Sequence, residues 1–88
     1  MAMDITWKPV RLRPNETRSE LPASAFAFPA ERKAPLTDAA HVRSAIGRFS
    51  QVDGVTDSER AQAFGNIRAA AQYYGIAIHA KSWSDLMR

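Results

Sequence analysis

The chain has 88 residues, which suits one small domain. Hydrophobic residues make up 45% of it, but 16 of them are alanine, so the core is too small to enclose a dry active site. The absence of cysteine excludes disulfides, thiol chemistry and cysteine-based zinc sites. No apolar run approaches the roughly 18 residues of a membrane span. The first residues have no apolar signal segment either, so we expect a soluble cytoplasmic protein.

Residues 1–20 are predicted to form a flexible N-terminal arm, and residues 21–88 a small helical domain. All five prolines lie in the first 35 residues, and all four glycines lie beyond them. Because proline lacks an N–H group and pushes its predecessor toward extended conformations, this part cannot hold a long helix. Residues 1–20 also carry mixed charges and only isolated large apolar side chains, which is typical of a mobile segment.

Residues 21–36 are predicted to form an extended strap. Phe26 and Phe28 are two positions apart, so both rings lie on the same side of an extended segment. We expect these rings to pack between the helices that follow.

The first helix is expected to begin at Thr37 or Asp38, either of which can cap its free N–H groups. Its apolar residues recur every three or four positions. They are Ala39, Val42, Ala45, Ile46, Phe49 and Val52. The helix should end before Asp53-Gly54, a turn dipeptide.

The second helix has the clearer signature. Thr56 and Glu59 fit a capping box, and Gly75 stands where a left-handed residue ends a helix. The short connection between the two helices favours an antiparallel pair. Ser82 or Ser84 could cap a final turn. The sequence therefore predicts a mainly α fold, an antiparallel helical hairpin with an N-terminal strap and a short C-terminal helical turn.

Two long motifs resemble a small uncharacterised bacterial and phage domain family. The first is a strap of the form FAxPxxRKxP followed by a DxxHxRxAxxRF-type helix, here Phe26 to Pro35 and Asp38 to Phe49. The second runs from Gly54 through Tyr74-Gly75-Ile76 to Trp83. The resemblance covers residues 21–87. It implies no assigned activity and a loose phage association, and Ala34 stands where the family form has an aromatic residue.

The residue pattern favours a protein that is not an enzyme and needs no cofactor. His41 follows Asp38 by three positions, so the two side chains share a helix face, but no nucleophile motif accompanies them. We interpret His41 as a structural residue at the helix boundary. The two histidines lie in distant segments, and no phosphate-binding glycine motif occurs, which disfavours metal and nucleotide sites.

Basic residues raise a second hypothesis. The net charge is +3, and nine of the twelve basic residues are arginine, which favours bidentate contacts with phosphates or carboxylates. A nucleic-acid-binding protein could use a patch of Arg32, Lys33, Arg43 and Arg48, joined by Arg11, Arg13 and Arg18 of the arm. However, the positive charge is spread along the chain rather than concentrated on one stripe.

The leading hypothesis is a helical interaction module that docks on a protein partner or on itself. Tyr73 lies off the apolar stripe of the second helix, and tyrosine and arginine are enriched at interfaces. The candidate interaction surface comprises Arg32, Lys33, His41, Arg43, Arg48 and Tyr73.

Overall fold

The computed structural model describes residues 5–9 and 21–87. Its strands are β1 (Phe26–Phe28) and β2 (Lys33–Pro35), and its helices are α1 (Ala39–Arg48) and α2 (Asp57–Tyr73). Short 3-10 helices occupy Ala23–Ala25, Phe49–Gln51 and Trp83–Met87. None of the helices in this part of the chain has the length and apolar character needed to cross a membrane.

The predicted mainly α fold is wrong. A two-stranded antiparallel sheet precedes the two helices and packs against them, so the chain has a small α+β fold. Phe26 pairs with Pro35, and Phe28 pairs with Lys33. β1 lies against α2, while β2 lies against α1. The strap therefore doubles back into a β-ribbon, which pairs backbone groups that a single extended strap would leave open.

Two non-glycine residues of the ribbon have a left-handed backbone, one in the turn between the strands and one within β2. Arg32 has φ of 53° and Ala34 has φ of 58°. This conformation costs an L-residue about 1 kcal/mol or more. Arg32 is held in place by its side chain, whose Nη2 donates to the Leu21 carbonyl oxygen at 2.6 Å. Its guanidinium also lies 4.8 Å from the centre of the Phe26 ring.

Both helix starts follow the predicted capping. The Asp38 carboxylate accepts a hydrogen bond from the His41 backbone N–H at 2.8 Å. At α2, the Thr56 hydroxyl accepts from the Glu59 N–H at 3.1 Å, and the Glu59 carboxylate accepts from the Thr56 N–H at 2.8 Å. The capping box is therefore confirmed.

The end of α2 is a Schellman motif at the predicted glycine. Gly75 has φ of 72°. Its N–H donates to the Gln72 carbonyl oxygen, and the Ile76 N–H donates to the Ala71 carbonyl oxygen at 2.8 Å. This turn directs residues 76–83 back along α2.

The core lies between the ribbon and the two helices. Phe28 packs against Phe49 with ring centres 5.8 Å apart. Phe26 is equally buried but belongs to a separate small cluster with Leu21 and Ala25. Both phenylalanine rings are buried, but only Phe28 belongs to the main core between the ribbon and the helices, where both rings were expected.

Residues 5–9, which sequence analysis assigns to the flexible arm, pack on the domain. Trp7 is only 8% exposed and belongs to the main core. Its indole Nε1–H donates to the Leu36 carbonyl oxygen at 3.0 Å, and the Lys8 N–H donates to the Ser24 carbonyl oxygen at 3.0 Å. The other predicted arm residues, 1–4 and 10–20, lie outside the described residues.

Candidate interaction surfaces

The six residues of the predicted surface fall in different parts of the fold. Arg32 and Lys33 belong to the ribbon, and His41, Arg43 and Arg48 belong to α1. Tyr73 is the last residue of α2. Among these six, His41 and Arg48 line one cavity. Arg11, Arg13 and Arg18, which sequence analysis adds to the basic patch, lie outside the described residues.

Arg32 and Lys33 direct their charges toward the protein itself. Arg32 contacts the Leu21 carbonyl oxygen and the Phe26 ring, as described above. Lys33 donates from Nζ to the carbonyl oxygen of Asp53 at 2.9 Å. These contacts tie the ribbon to the segments before and after it, so both residues have a structural role.

His41 and Asp38 form a close pair at the start of α1. His41 Nδ1 lies 2.8 Å from Asp38 Oδ1, and both side chains are about half exposed. The His41 backbone N–H, and then its side chain, hold the pKa of the Asp38 carboxyl below its usual range. This carboxylate is therefore occupied as a helix cap, which agrees with the structural interpretation of His41.

A cavity of about 470 Å³ lies between the ribbon and α1. We call it the ribbon cavity, and its lining residues are Leu21, Ala34, Pro35, Thr37, His41, Ser44, Ala45, Arg48 and Val52. The polar members on α1 recur at three- and four-residue spacing, so they share one helix face. Arg48 is the lining residue with a permanent positive charge.

Arg43 lies on a different face of α1 from this cavity. It is two positions from His41, which corresponds to a rotation of about 200° around the helix. Its side chain is exposed, and it is not among the residues that line the ribbon cavity. Within the described residues, the four basic positions therefore do not form a single patch.

Tyr73 lies beside the packed N-terminal segment. Its ring centre is 5.7 Å from Trp7 and 4.9 Å from Tyr74, in edge-to-face geometry in both cases. Even so, 62% of Tyr73 remains exposed. The neighbouring Tyr74 donates its hydroxyl to the Thr37 carbonyl oxygen at 2.9 Å, and burial raises its pKa. Tyr73 thus presents a largely exposed ring that is held by its contacts with Trp7 and Tyr74.

A second concave surface, of about 680 Å³, runs along α2. We call it the α2 groove. Its floor is the surface of α2 between Ala61 and Gln72, one side is formed by Ile5, and the other by residues 76–83. The larger apolar lining residues are Ile5, Phe64, Ile76, Ile78 and Trp83.

The charge at the α2 groove has one sign. Arg68 and Lys81 are its charged lining residues, and no aspartate or glutamate lines it among the residues that the structure describes. The Arg68 guanidinium lies 5.8 Å from the centre of the Phe64 ring, which orients the charge over an aromatic surface. The groove therefore combines an apolar lining with positive charge.

Asn66 holds one side of this groove in place, and sequence analysis did not identify it. It is fully buried, and its Oδ1 accepts hydrogen bonds from the backbone N–H groups of Thr6 and Trp7, both at 2.9 Å. Its Nδ2 donates to the Ala27 carbonyl oxygen at 3.0 Å. The pattern of the helix did not reveal this role, because Asn66 is seven residues before Tyr73 and shares its face, beside the apolar stripe.

The comparisons with known proteins identify the family. A model described as a family of unknown function (DUF6582) matches residues 8–81. The chain belongs to this family. The expected membership of an uncharacterised domain family is therefore confirmed. No curated protein and no solved structure matches the chain. Within residues 5–9 and 21–87, no three histidine, cysteine, aspartate or glutamate side chains are placed to hold a metal ion.

Proposed function

We propose that the protein is a non-enzymatic interaction module that docks on an acidic segment of a protein partner through the α2 groove. The observation that carries this proposal is the coincidence of apolar surface and single-sign charge at one place. Ile5 is 56% exposed and Tyr73 is 62% exposed, and these are the exposed large hydrophobic residues of the described chain. Ile5 lines the groove, and Tyr73 follows its lining residue Gln72.

The size and shape of the groove suit a short peptide segment. A volume of about 680 Å³ lies in the range of specific ligand sites. Trp83 is the partly exposed aromatic residue of the lining, and aromatic surface contributes strongly to binding at interfaces. An apolar side chain of the partner would lie against Trp83 and Ile5, while its acidic residues would face Arg68 and Lys81.

Charge distinguishes this partner from a second copy of the chain. The protein carries a net charge of +3, and the charged residues in the described lining of the groove are Arg68 and Lys81. The Asp85 carboxylate lies outside this lining and accepts from the Lys81 backbone N–H. A second copy would bring net positive charge to this surface, which disfavours association. An acidic partner gains complementarity and faster encounter instead.

Random peptides displayed on phage and selected on the wild-type protein would test the proposal. Peptides rich in apolar and acidic residues should be enriched. Labelled copies should bind the Arg68→Glu/Lys81→Glu variant about tenfold more weakly in fluorescence anisotropy. The Arg43→Glu variant is the matched control and should bind normally. No enrichment, or equal binding by the double variant, would contradict the proposal, and a concentration-dependent dimer would favour self-association.

Nucleic-acid binding is the weaker alternative. Arg32 and Lys33 already contact backbone carbonyl oxygens, and Arg43 lies away from Arg48 on α1. A labelled oligonucleotide titrated at about 50 mM salt would decide between the functions. Binding that falls steeply with added salt, and that Arg43→Gln/Arg48→Gln abolishes, would favour the alternative.

A further inference from the structure

The ribbon cavity has the composition of a small-ligand site. Its volume of about 470 Å³ lies within the range of such sites, which are largely apolar with a few polar groups that fix orientation. Leu21, Pro35 and Val52 supply the apolar lining. Ser44 and Arg48 supply a hydroxyl and a guanidinium from α1.

The positive charge in the ribbon cavity indicates that the ligand is negatively charged. Arg48 is exposed and makes no hydrogen bond or ion pair with any of the described residues. The Asp38 carboxylate, at the start of α1, already accepts from the backbone and the ring of His41. No aspartate or glutamate belongs to the described lining. A planar guanidinium in this setting suits a carboxylate, which it can bind through two parallel hydrogen bonds.

The backbone beside the cavity provides an independent observation. Arg32 and Ala34 are the non-glycine residues with positive φ in the described chain, and Ala34 lines the cavity. Such conformations persist only where the surroundings impose them, and they cluster at ligand sites. Here the Arg32 side chain fixes the turn through the Leu21 carbonyl oxygen, and Leu21 also lines the cavity.

We propose that the ribbon cavity binds a small carboxylate with an apolar body. The Arg48 guanidinium receives the carboxylate, the Ser44 hydroxyl donates to it, and the apolar body packs on Leu21, Pro35 and Val52. The carboxylate could belong to a free small molecule or to the C-terminus of a peptide. This site goes beyond the proposed docking function, since it shares no lining residue with the α2 groove.

Titrations followed by ¹⁵N–¹H NMR would test the site with three probes. Phenylacetate represents a free carboxylate, and N-acetyl-glycyl-phenylalanine represents a peptide C-terminus. Phenylacetamide is the uncharged control. We expect saturable shifts at the amides of Ala34, Thr37 and Ser44. Whichever of the two carboxylates binds more tightly shows whether the natural ligand is a free small molecule or a peptide C-terminus. Phenylacetamide should bind about tenfold more weakly than phenylacetate.

Variants on α1 distinguish binding in the ribbon cavity from a general effect of the protein's positive charge. Arg48→Gln should weaken carboxylate binding about tenfold, whereas Arg43→Gln, the matched change on another face, should leave it unchanged. Ser44→Leu should block binding by filling the cavity, and thermal melts would verify that each variant is folded. The proposal is overturned by equal binding of phenylacetamide, by an unaffected Arg48→Gln variant, by shifts centred on the α2 groove, or by no saturation up to about 10 mM.

Discussion

Asn66 is the residue on which the N-terminal segment depends. Its amide satisfies two backbone donors, of Thr6 and Trp7, and one backbone acceptor, of Ala27, all within 3.0 Å. A buried polar group without a partner costs about 1–3 kcal/mol, and several would lose theirs together. The side chain thus connects α2, β1 and the N-terminal segment through one planar group.

Asn66→Ala should lower the free energy of unfolding by about 2–4 kcal/mol, because it leaves these backbone groups unpaired. Urea denaturation would measure the loss. Gln72→Ala, a change of an exposed amide on the same helix, is the control and should have little effect. If the two variants were equally stable, the amide would not hold the segment in solution.

Asp38, at the start of α1, makes the stability of the protein depend on pH. Its carboxylate accepts from the His41 N–H and ring, and these contacts lower its pKa in the folded protein. A carboxyl whose folded pKa is depressed stabilises the protein above its unfolded pKa, and this contribution is lost as pH falls through the folded pKa.

Asp38→Ala should cost about 1 kcal/mol at neutral pH, since the cap is lost, whereas Asp38→Asn keeps a capping oxygen and should cost less. Denaturation at several pH values would separate the two effects. Any advantage of the wild type over Asp38→Asn should shrink below about pH 4, because the carboxyl becomes protonated. An advantage that is constant down to pH 2 or so would rule out the carboxylate as its source.

At the scale of elements, two glycines of similar exposure should respond oppositely to alanine. Gly75 has φ of 72° at the end of α2, where a side chain is strained. Gly47 lies within α1 without positive φ, and a Cβ there would meet nothing within 4 Å. Glycine in a helix is also less favourable than alanine.

Gly75→Ala should therefore lower the free energy of unfolding by about 1 kcal/mol, and Gly47→Ala should raise it by about 0.5 kcal/mol. Thermal or urea denaturation of both variants, in the same buffer, gives the comparison. A gain in stability from Gly75→Ala would show that the left-handed helix end does not persist in solution.

The elements also explain which parts of the fold the sequence could reveal. The caps at Asp38 and Thr56 and the end at Gly75 depend on neighbouring residues, so local patterns predict them. The β-ribbon was missed because Arg32 in its turn and Ala34 in β2 adopt a conformation that sequence rules reserve for glycine and asparagine. The geometry of the turn depends instead on the contact of the Arg32 side chain with the Leu21 carbonyl oxygen, which no local sequence pattern predicts.

The candidate sites were predictable to a smaller extent. His41 and Arg48 both line the ribbon cavity, and they were predictable as candidates because their charge and their spacing on one helix are visible in the sequence. The α2 groove was not predicted, since its sides come from Ile5 and residues 76–83, which are far apart in the chain. Its formation depends on long-range packing of the N-terminal segment.

For the whole molecule, the N-terminal segment is both part of the core and one side of the α2 groove. Trp7 is buried among core residues, while Ile5, two positions earlier, lines the groove. Asn66 anchors the chain between them. Stability and docking should therefore be linked through this segment, although Trp7 itself does not line the groove.

Trp7→Ala should destabilise the protein by about 3–5 kcal/mol, a large part of the total stability of a small domain. Trp7→Phe keeps an aromatic ring but leaves the Leu36 carbonyl oxygen unpaired, so we expect a loss of about 1 kcal/mol. Lys8→Ala, which changes an exposed side chain in the same segment, is the control. Urea denaturation measures all three. A Trp7→Ala variant as stable as Lys8→Ala would support a flexible arm over residues 5–9 and would remove the basis for a fixed side of the groove at Ile5.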